Sequence, residues 1–181
     1  MNIFYLHKDP VESAKLHCDK HVCKMIIEYA QMLSTAHRML DGKEYISQTL
    51  GGRRIKRWKH PNSNMEGVLY KASHINHPSA IWVRENAIQY QFMYDMFVAL
   101  CDEYTYRYGR IHMTDEKLRD LLNEIPRNME LGTWRQPPPA MPDYCKHEDS
   151  IISYHKYYAN EKKGFAKWTN RERPTFMEQY A

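Results

Sequence analysis

The sequence predicts an all-α fold: a single compact domain of three major helices and one short helix, joined by long basic and proline-rich loops. Three observations carry this expectation. The 181 residues include only 7 glycines against 14 tyrosines and 11 methionines, a balance that disfavours all-β folds and glycine-loop nucleotide folds. Two stretches, 11–39 and 79–108, contain neither glycine nor proline. Within both, apolar residues recur at the 3.6-residue helical period. The length suits one domain, which would bury about 70% of its unfolded surface without disulfides or structural metal. Hydrophobic residues at 43% and charged residues at 27% exclude a disordered chain.

The first helix opens with Asp9 as N-cap, Pro10 at the first helical position and Glu12 completing a capping box, and runs to about Met39 before Asp41-Gly42. Ala14, Val22, Met25, Ile26, Tyr29, Met32, Leu33, Ala36 and Leu40 form its apolar face. Residues 41–77 read as a basic loop insertion, punctuated by Gly51-Gly52, Pro61-Asn62 and Glu66-Gly67, with room for a small hairpin around Gly51-Gly52. A second long helix begins at His77-Pro78-Ser79 and ends near Tyr108, before Gly109. A short amphipathic helix follows from Thr114 to about Glu124, stopped by Pro126. Residues 125–147 carry Pro126, Pro137, Pro138, Pro139 and Pro142 and read as an extended surface loop. A last helix is expected from about Glu148 to Thr169.

No run approaches 18 apolar residues and the N-terminus has no secretory pattern, so a cytoplasmic protein with no membrane partner is expected. Cys18, Cys23, Cys101 and Cys145 then read as reduced thiols. The net charge of +4 is unevenly spread: Arg53, Arg54, Lys56, Arg57 and Lys59 fall within ten residues that hold no acidic one. Residues 161–173 add five basic against two acidic residues. Patches of this kind suit a polyanion.

Chemistry-bearing residues collect on the first helix. His17, His21, Lys24, Glu28, Gln31 and Thr35 follow at spacings of three and four, on the face opposite the apolar one. A plain solvated face would mix lysine and glutamate, whereas two histidines beside one Lys and one Glu suggest a groove with acid–base capacity. His17 and His21 could ligate a metal with His37, His74 or His77, but no complete ligand set is visible, and neither metal nor cofactor is expected. His74, His77 and Ser79 precede a helix N-terminus, where a phosphate could sit as readily as a plain cap. In the basic loop, Arg53, Arg54, Lys56, Arg57 and Lys59 could neutralise phosphates while Trp58 stacks on a base, which makes DNA the expected partner.

A short N-terminal segment, a long helix with His21 and Glu28 seven apart, and a second helix opening on His77-Pro-Ser-Ala-Ile-Trp-Val-Arg84 together resemble the phage pyrimidine-dimer DNA glycosylases of the endonuclease V type. Met141-Pro-Asp-Tyr144, Tyr154-His-Lys-Tyr-Tyr158 and Arg173-Pro-Thr-Phe176 share that flavour, and the chain also resembles small uncharacterised phage proteins. The resemblance implies a glycosylase and abasic lyase of a host-cell cytoplasm, in which a terminal amine attacks the deoxyribose C1′ and a helix carboxylate supports Schiff-base chemistry. It would make Glu28 the carboxylate, and His21 a phosphate-binding or proton-handling group. The amine would belong to Met1, because Met1-Asn2 replaces the family's small second residue, or to Lys20 or Lys24. The family's arginines beside the catalytic carboxylate are absent. Two other readings stand beside it: a transferase modifying a DNA base through His21, Lys24 and Glu28, and a non-catalytic nucleic-acid-binding protein.

Overall fold

A computed structural model describes residues 1–180. It corrects the all-α expectation: the described residues form eight α-helices and a largely exposed two-stranded antiparallel sheet. In chain order they are α1 (Pro10–Leu16), α2 (Asp19–Asp41), β1 (Lys43–Gln48), β2 (Arg54–Lys59), α3 (Ser63–Val68), α4 (Pro78–Val83), α5 (Ala87–Tyr108), α6 (Met113–Leu122), α7 (Ser150–Tyr157) and α8 (Phe176–Gln179).

The expected first helix is two. The chain leaves helical geometry at His17 and Cys18, with ψ of 133° and 159°. The break is sustained by partners distant in sequence. The Asp19 N–H donates to Lys167 O at 2.8 Å. The carbonyls of Lys15 and Leu16, freed by the break, accept from Arg107 Nη2 and Trp168 Nε1, both at 2.9 Å. The C-terminal segment thus occupies the notch and satisfies the interrupted backbone.

The basic insertion is not a loop either. β1 and β2 pair from Lys43↔Lys59 to Gln48↔Arg54. Their turn closes by Thr49 N–H to Arg53 O and Gly52 N–H to Thr49 O, both 2.9 Å, with Gly52 in the left-handed region at φ 77°. The hairpin base hangs on Arg38 of α2. This buried guanidinium donates to Glu66 Oε2 at 2.6 Å and to the carbonyls of Trp58, Glu66, Leu69 and Tyr70.

The expected second helix also divides. α4 ends at Arg84, and Asn86 caps α5 by accepting the Gln89 N–H at 3.0 Å. Residues 125–147 run along the surface and pass close to this cap. Gly132, at φ 65°, lies where any Cβ would fall 2.3 Å from Asn86 Cβ. Asn86 Nδ2 donates to Thr133 O at 3.1 Å. The last helix is shorter than expected: α7 gives way to a π-helical turn at Tyr158–Lys162, and residues 163–175 double back as irregular chain.

The core lies between α2 and α5, from Met25, Met32 and Leu33 to Met93, Met96, Phe97 and Leu100. The N-terminal segment Ile3–Leu6 is threaded into it, with its Phe4 N–H donating to Tyr29 Oη at 3.1 Å. No helix among the described residues is long and apolar enough to cross a membrane.

Candidate functional site

Glu28, on the second turn of α2 past His21, is the centre of the most reactive arrangement. Its carboxylate is 16% exposed and lies between two amines. The Met1 amine is 3.7 Å from Oε2, and Lys24 Nζ is 3.2 Å from Oε1. Lys24 arrives by the i, i+4 geometry of the helix and is mostly exposed. The Met1 amine arrives because Ile3–Leu6 is buried alongside α2. His77, the N-cap of α4, is within electrostatic reach. Its pKa is lowered first by burial, then by the charges of the Met1 amine and His74, against the opposing pull of Glu28. His74, exposed, holds φ at 49°, a left-handed backbone uncommon outside glycine. The Met1 amine, Lys24 and Glu28 therefore gather at one place, and His77 lies near enough to feel the Met1 and Glu28 charges. A carboxylate so placed can take a proton from either ammonium and afterwards balance an iminium.

The rest of the polar stripe does not form one open groove. His17 precedes α2 and is wholly buried, Nδ1 against Ser13 O at 2.7 Å and Nε2 against Tyr29 Oη at 2.8 Å. His21 is covered by Phe4, stacked at 4.2 Å and 20°, and its Nδ1 meets Tyr158 Oη at 2.5 Å. Burial lowers His17 to about 4; burial, with His17, Lys162 and Lys24 behind it, lowers His21 to about 3. Both imidazoles are neutral at pH 7. Thr35 is buried too, its hydroxyl accepting the Ser73 N–H at 3.2 Å. Lys20 stands apart, its ammonium 4.5 Å above the Phe165 ring.

The basic residues divide by their partners. Arg53, Arg54 and Lys59 are exposed and make no ion pair among the described residues. Lys56 is neutralised by Glu44 at 2.9 Å across the hairpin, an acidic partner outside the ten-residue run. Arg57 is half-buried and reaches Ala72 O at 3.4 Å. Trp58, 8% exposed, folds onto the body rather than offering a face to a base. Leu50 stands fully exposed in the turn between β1 and β2.

Side chains able to hold a metal occur at the other end of α2. His37, Asp41 and His60 place ligand atoms within 4.8 Å of one another. His37 does not meet His17 or His21, as the sequence spacing had allowed. Burial lowers His37 to about 4. Sequence reasoning missed this cluster, although His37 and Asp41 at i, i+4 carry half of its signal; His60 joins only through the hairpin's return. It also missed the ionic network of Asp19, Glu103, Arg107 and Arg171, whose members lie on three separate segments. No protein-family model, curated protein or solved structure matches the chain.

Proposed function

We propose that this protein acts on DNA as a base-excision glycosylase and abasic lyase, through an amine beside Glu28. The observation that carries the reading is the carboxylate held between Met1 N and Lys24 Nζ at 3.7 and 3.2 Å. Glu28 accepts a proton from the ammonium, and the freed amine attacks C1′ of an extruded nucleotide. The base departs with the electron pair of the glycosidic bond and acquires a proton. Glu28 returns its proton to O4′ as the sugar ring opens, and the regenerated carboxylate balances the charge of the protonated imine that is left. Loss of a C2′ proton then expels the 3′ phosphate. His21 is too enclosed to handle phosphate, and His77 is the nearer imidazole for proton traffic. Arg53, Arg54 and Lys59 supply phosphate contacts.

Borohydride trapping on an oligonucleotide containing an abasic site tests this directly. The expected result is a covalent adduct whose peptide map places the sugar on Met1 or Lys24. Salt-sensitive binding without an adduct would leave a non-catalytic DNA-binding protein in its place. Glu28→Gln keeps size and helix propensity, so it should fold and bind DNA while losing about 10²–10⁴-fold in turnover. Full activity in that variant would remove Glu28 from the chemistry.

A further inference from the structure

We propose that His37, Asp41 and His60 form a binding site for a divalent first-row transition ion of the zinc or ferrous class, independent of the Glu28 centre. The three are enclosed: His37 is 1% and His60 5% exposed, and the Asp41 side chain 6%. Burying two imidazoles and a carboxylate side by side is unfavourable unless each ring nitrogen finds a partner. Here two do not. His37 Nδ1 and His60 Nε2 are buried with no hydrogen-bond partner.

The surrounding bonds fix what His37 offers. Its Nε2 meets Tyr90 Oη at 2.8 Å, and that hydroxyl donates its only proton to Leu122 O at 2.8 Å. Nε2 must therefore be the protonated nitrogen, donating to the tyrosine, and Nδ1 presents an unprotonated lone pair to the cluster. A hydrogen bond on the far nitrogen that sets tautomer and ring orientation is the usual support of a metal-binding histidine. Asp41 is oriented in the same way. Oδ1 accepts the Asn128 N–H at 3.0 Å and its Nδ2–H at 3.1 Å, while Oδ2 accepts only the Arg127 N–H at 2.9 Å, which leaves a lone pair on Oδ2. His60 is the ligand that must adjust. Its Nδ1 accepts the Asn62 N–H at a long 3.2 Å, so its proton sits on Nε2, 3.9 Å from Asp41 Oδ2. Loading moves that proton to Nδ1, frees Nε2 for the ion and releases the exposed Asn62 N–H to solvent.

Ligand atoms around a tetrahedral ion lie about 3.3 Å apart for bonds of about 2.0 Å, so the present separations of up to 4.8 Å require only side-chain movement. Two imidazoles and one carboxylate with an open position suit zinc or ferrous iron rather than magnesium or calcium. The three side chains line a cavity of about 270 Å³ whose wall also includes Glu124 and Arg127. An ion here would tie the end of α2, the return of the hairpin and the 124–128 loop together.

The test uses the full chain expressed without a histidine tag, stripped with chelator and titrated separately with zinc and, anaerobically, with ferrous iron. One equivalent should bind, and cobalt(II) substitution should give the visible bands of low-coordinate nitrogen and oxygen ligation. Asp41→Asn and His60→Gln should each weaken binding about 100-fold or more. Tyr90→Phe should keep the stoichiometry and weaken binding about 10–100-fold, as loss of an outer-shell partner does. Circular dichroism and thermal melts without metal check that each variant folds. Absence of stoichiometric binding, or binding unchanged in folded Asp41→Asn and His60→Gln, overturns the site; the latter result would move the ion to the other histidines. Neither outcome touches the borohydride result at Glu28.

Discussion

His17 and His21 are imidazoles that folding removes from water, and their protonation links stability to pH. In the unfolded chain each takes up a proton near pH 6.5. In the folded chain burial delays this to about 4 for His17 and about 3 for His21. Between about pH 6.5 and pH 4 the unfolded state therefore binds more protons, and stability falls as pH falls. For the fully buried His17 the difference corresponds to about 3 kcal/mol. Melting temperature should decline through that window, before the carboxylates titrate, and His21→Gln should flatten the decline. A melting temperature constant from pH 7 to pH 5 would refute it. Residue-level chemistry was half legible from sequence. The spacing of Lys24 and Glu28 on one helix face fixes their meeting, because i, i+4 geometry is local. The inward turn of His17 was not legible, since it depends on a helix break whose partners lie 92 and 152 residues away. Arg38 was equally silent. As one cation on a helix it looks like any surface arginine, yet its side chain is 5% exposed and holds Glu66. Arg38→Met should lower stability by about 3–5 kcal/mol, because the buried ion pair loses one member and four carbonyls lose a donor.

The hairpin is the element that most changes how the charge pattern is read. Its cations are not equivalent. Lys56 is already paired with Glu44, and Arg57 leans on Ala72, whereas Arg53, Arg54 and Lys59 are free to meet phosphate. Each phosphate contact contributes about 0.9 to the slope of log affinity against log salt. Arg53→Ala with Arg54→Ala should therefore reduce the slope by about 2, and Lys56→Ala should change it by much less. Equal effects from the two variants would mean that the hairpin does not approach DNA in this orientation. Leu50 is fully exposed at the tip, and on the proposed reading it would serve as the apolar wedge with which DNA-bending proteins unstack base steps. The path from Glu28 to the hairpin base at Asp41 is 13 residues of helix, or about 20 Å. That is about six base pairs of duplex, so one DNA segment is long enough to meet both. The long glycine- and proline-free stretches made most of α2 and α5 legible. The hairpin was only an option in the sequence, because its strands carry charge on both faces and so lack the alternation that marks a half-buried sheet.

On the scale of the molecule, the first and last thirds of the chain are joined by one ionic network at the α1–α2 notch. Arg107 of α5 is fully buried and donates to Glu103 Oε1 at 2.7 Å and to Asp19 Oδ1 at 2.9 Å. Arg171, from the returning C-terminal segment, donates to both oxygens of Glu103 at 2.9 and 2.8 Å. Burial alone would raise the pKa of Glu103, but the bonds from Arg171 and Arg107 outweigh it and hold the carboxyl below its ordinary range. Asp19 completes the join by accepting Thr169 N–H and Oγ1–H, both at 2.9 Å. The two arginines are unequal by burial: Arg107 is enclosed, while 27% of the Arg171 side chain reaches solvent. Glu103→Gln removes the only carboxylate shared by both, and should lower stability by about 3–5 kcal/mol because the Arg107 charge stays buried with reduced compensation. Arg171→Ala leaves the Arg107 pairs intact and should lower stability by about 1 kcal/mol, the upper end for an ion pair that reaches solvent. It removes one of the ties on residues 163–175, so trypsin should cut after Lys163 or Lys167 faster than in the parent chain while the helical signal by circular dichroism persists. Comparable melting temperatures for Glu103→Gln and the parent, or equal trypsin rates for Arg171→Ala and the parent, would show that backbone bonds at the notch, such as Asp19 N–H to Lys167 O, hold the termini without help from the ions.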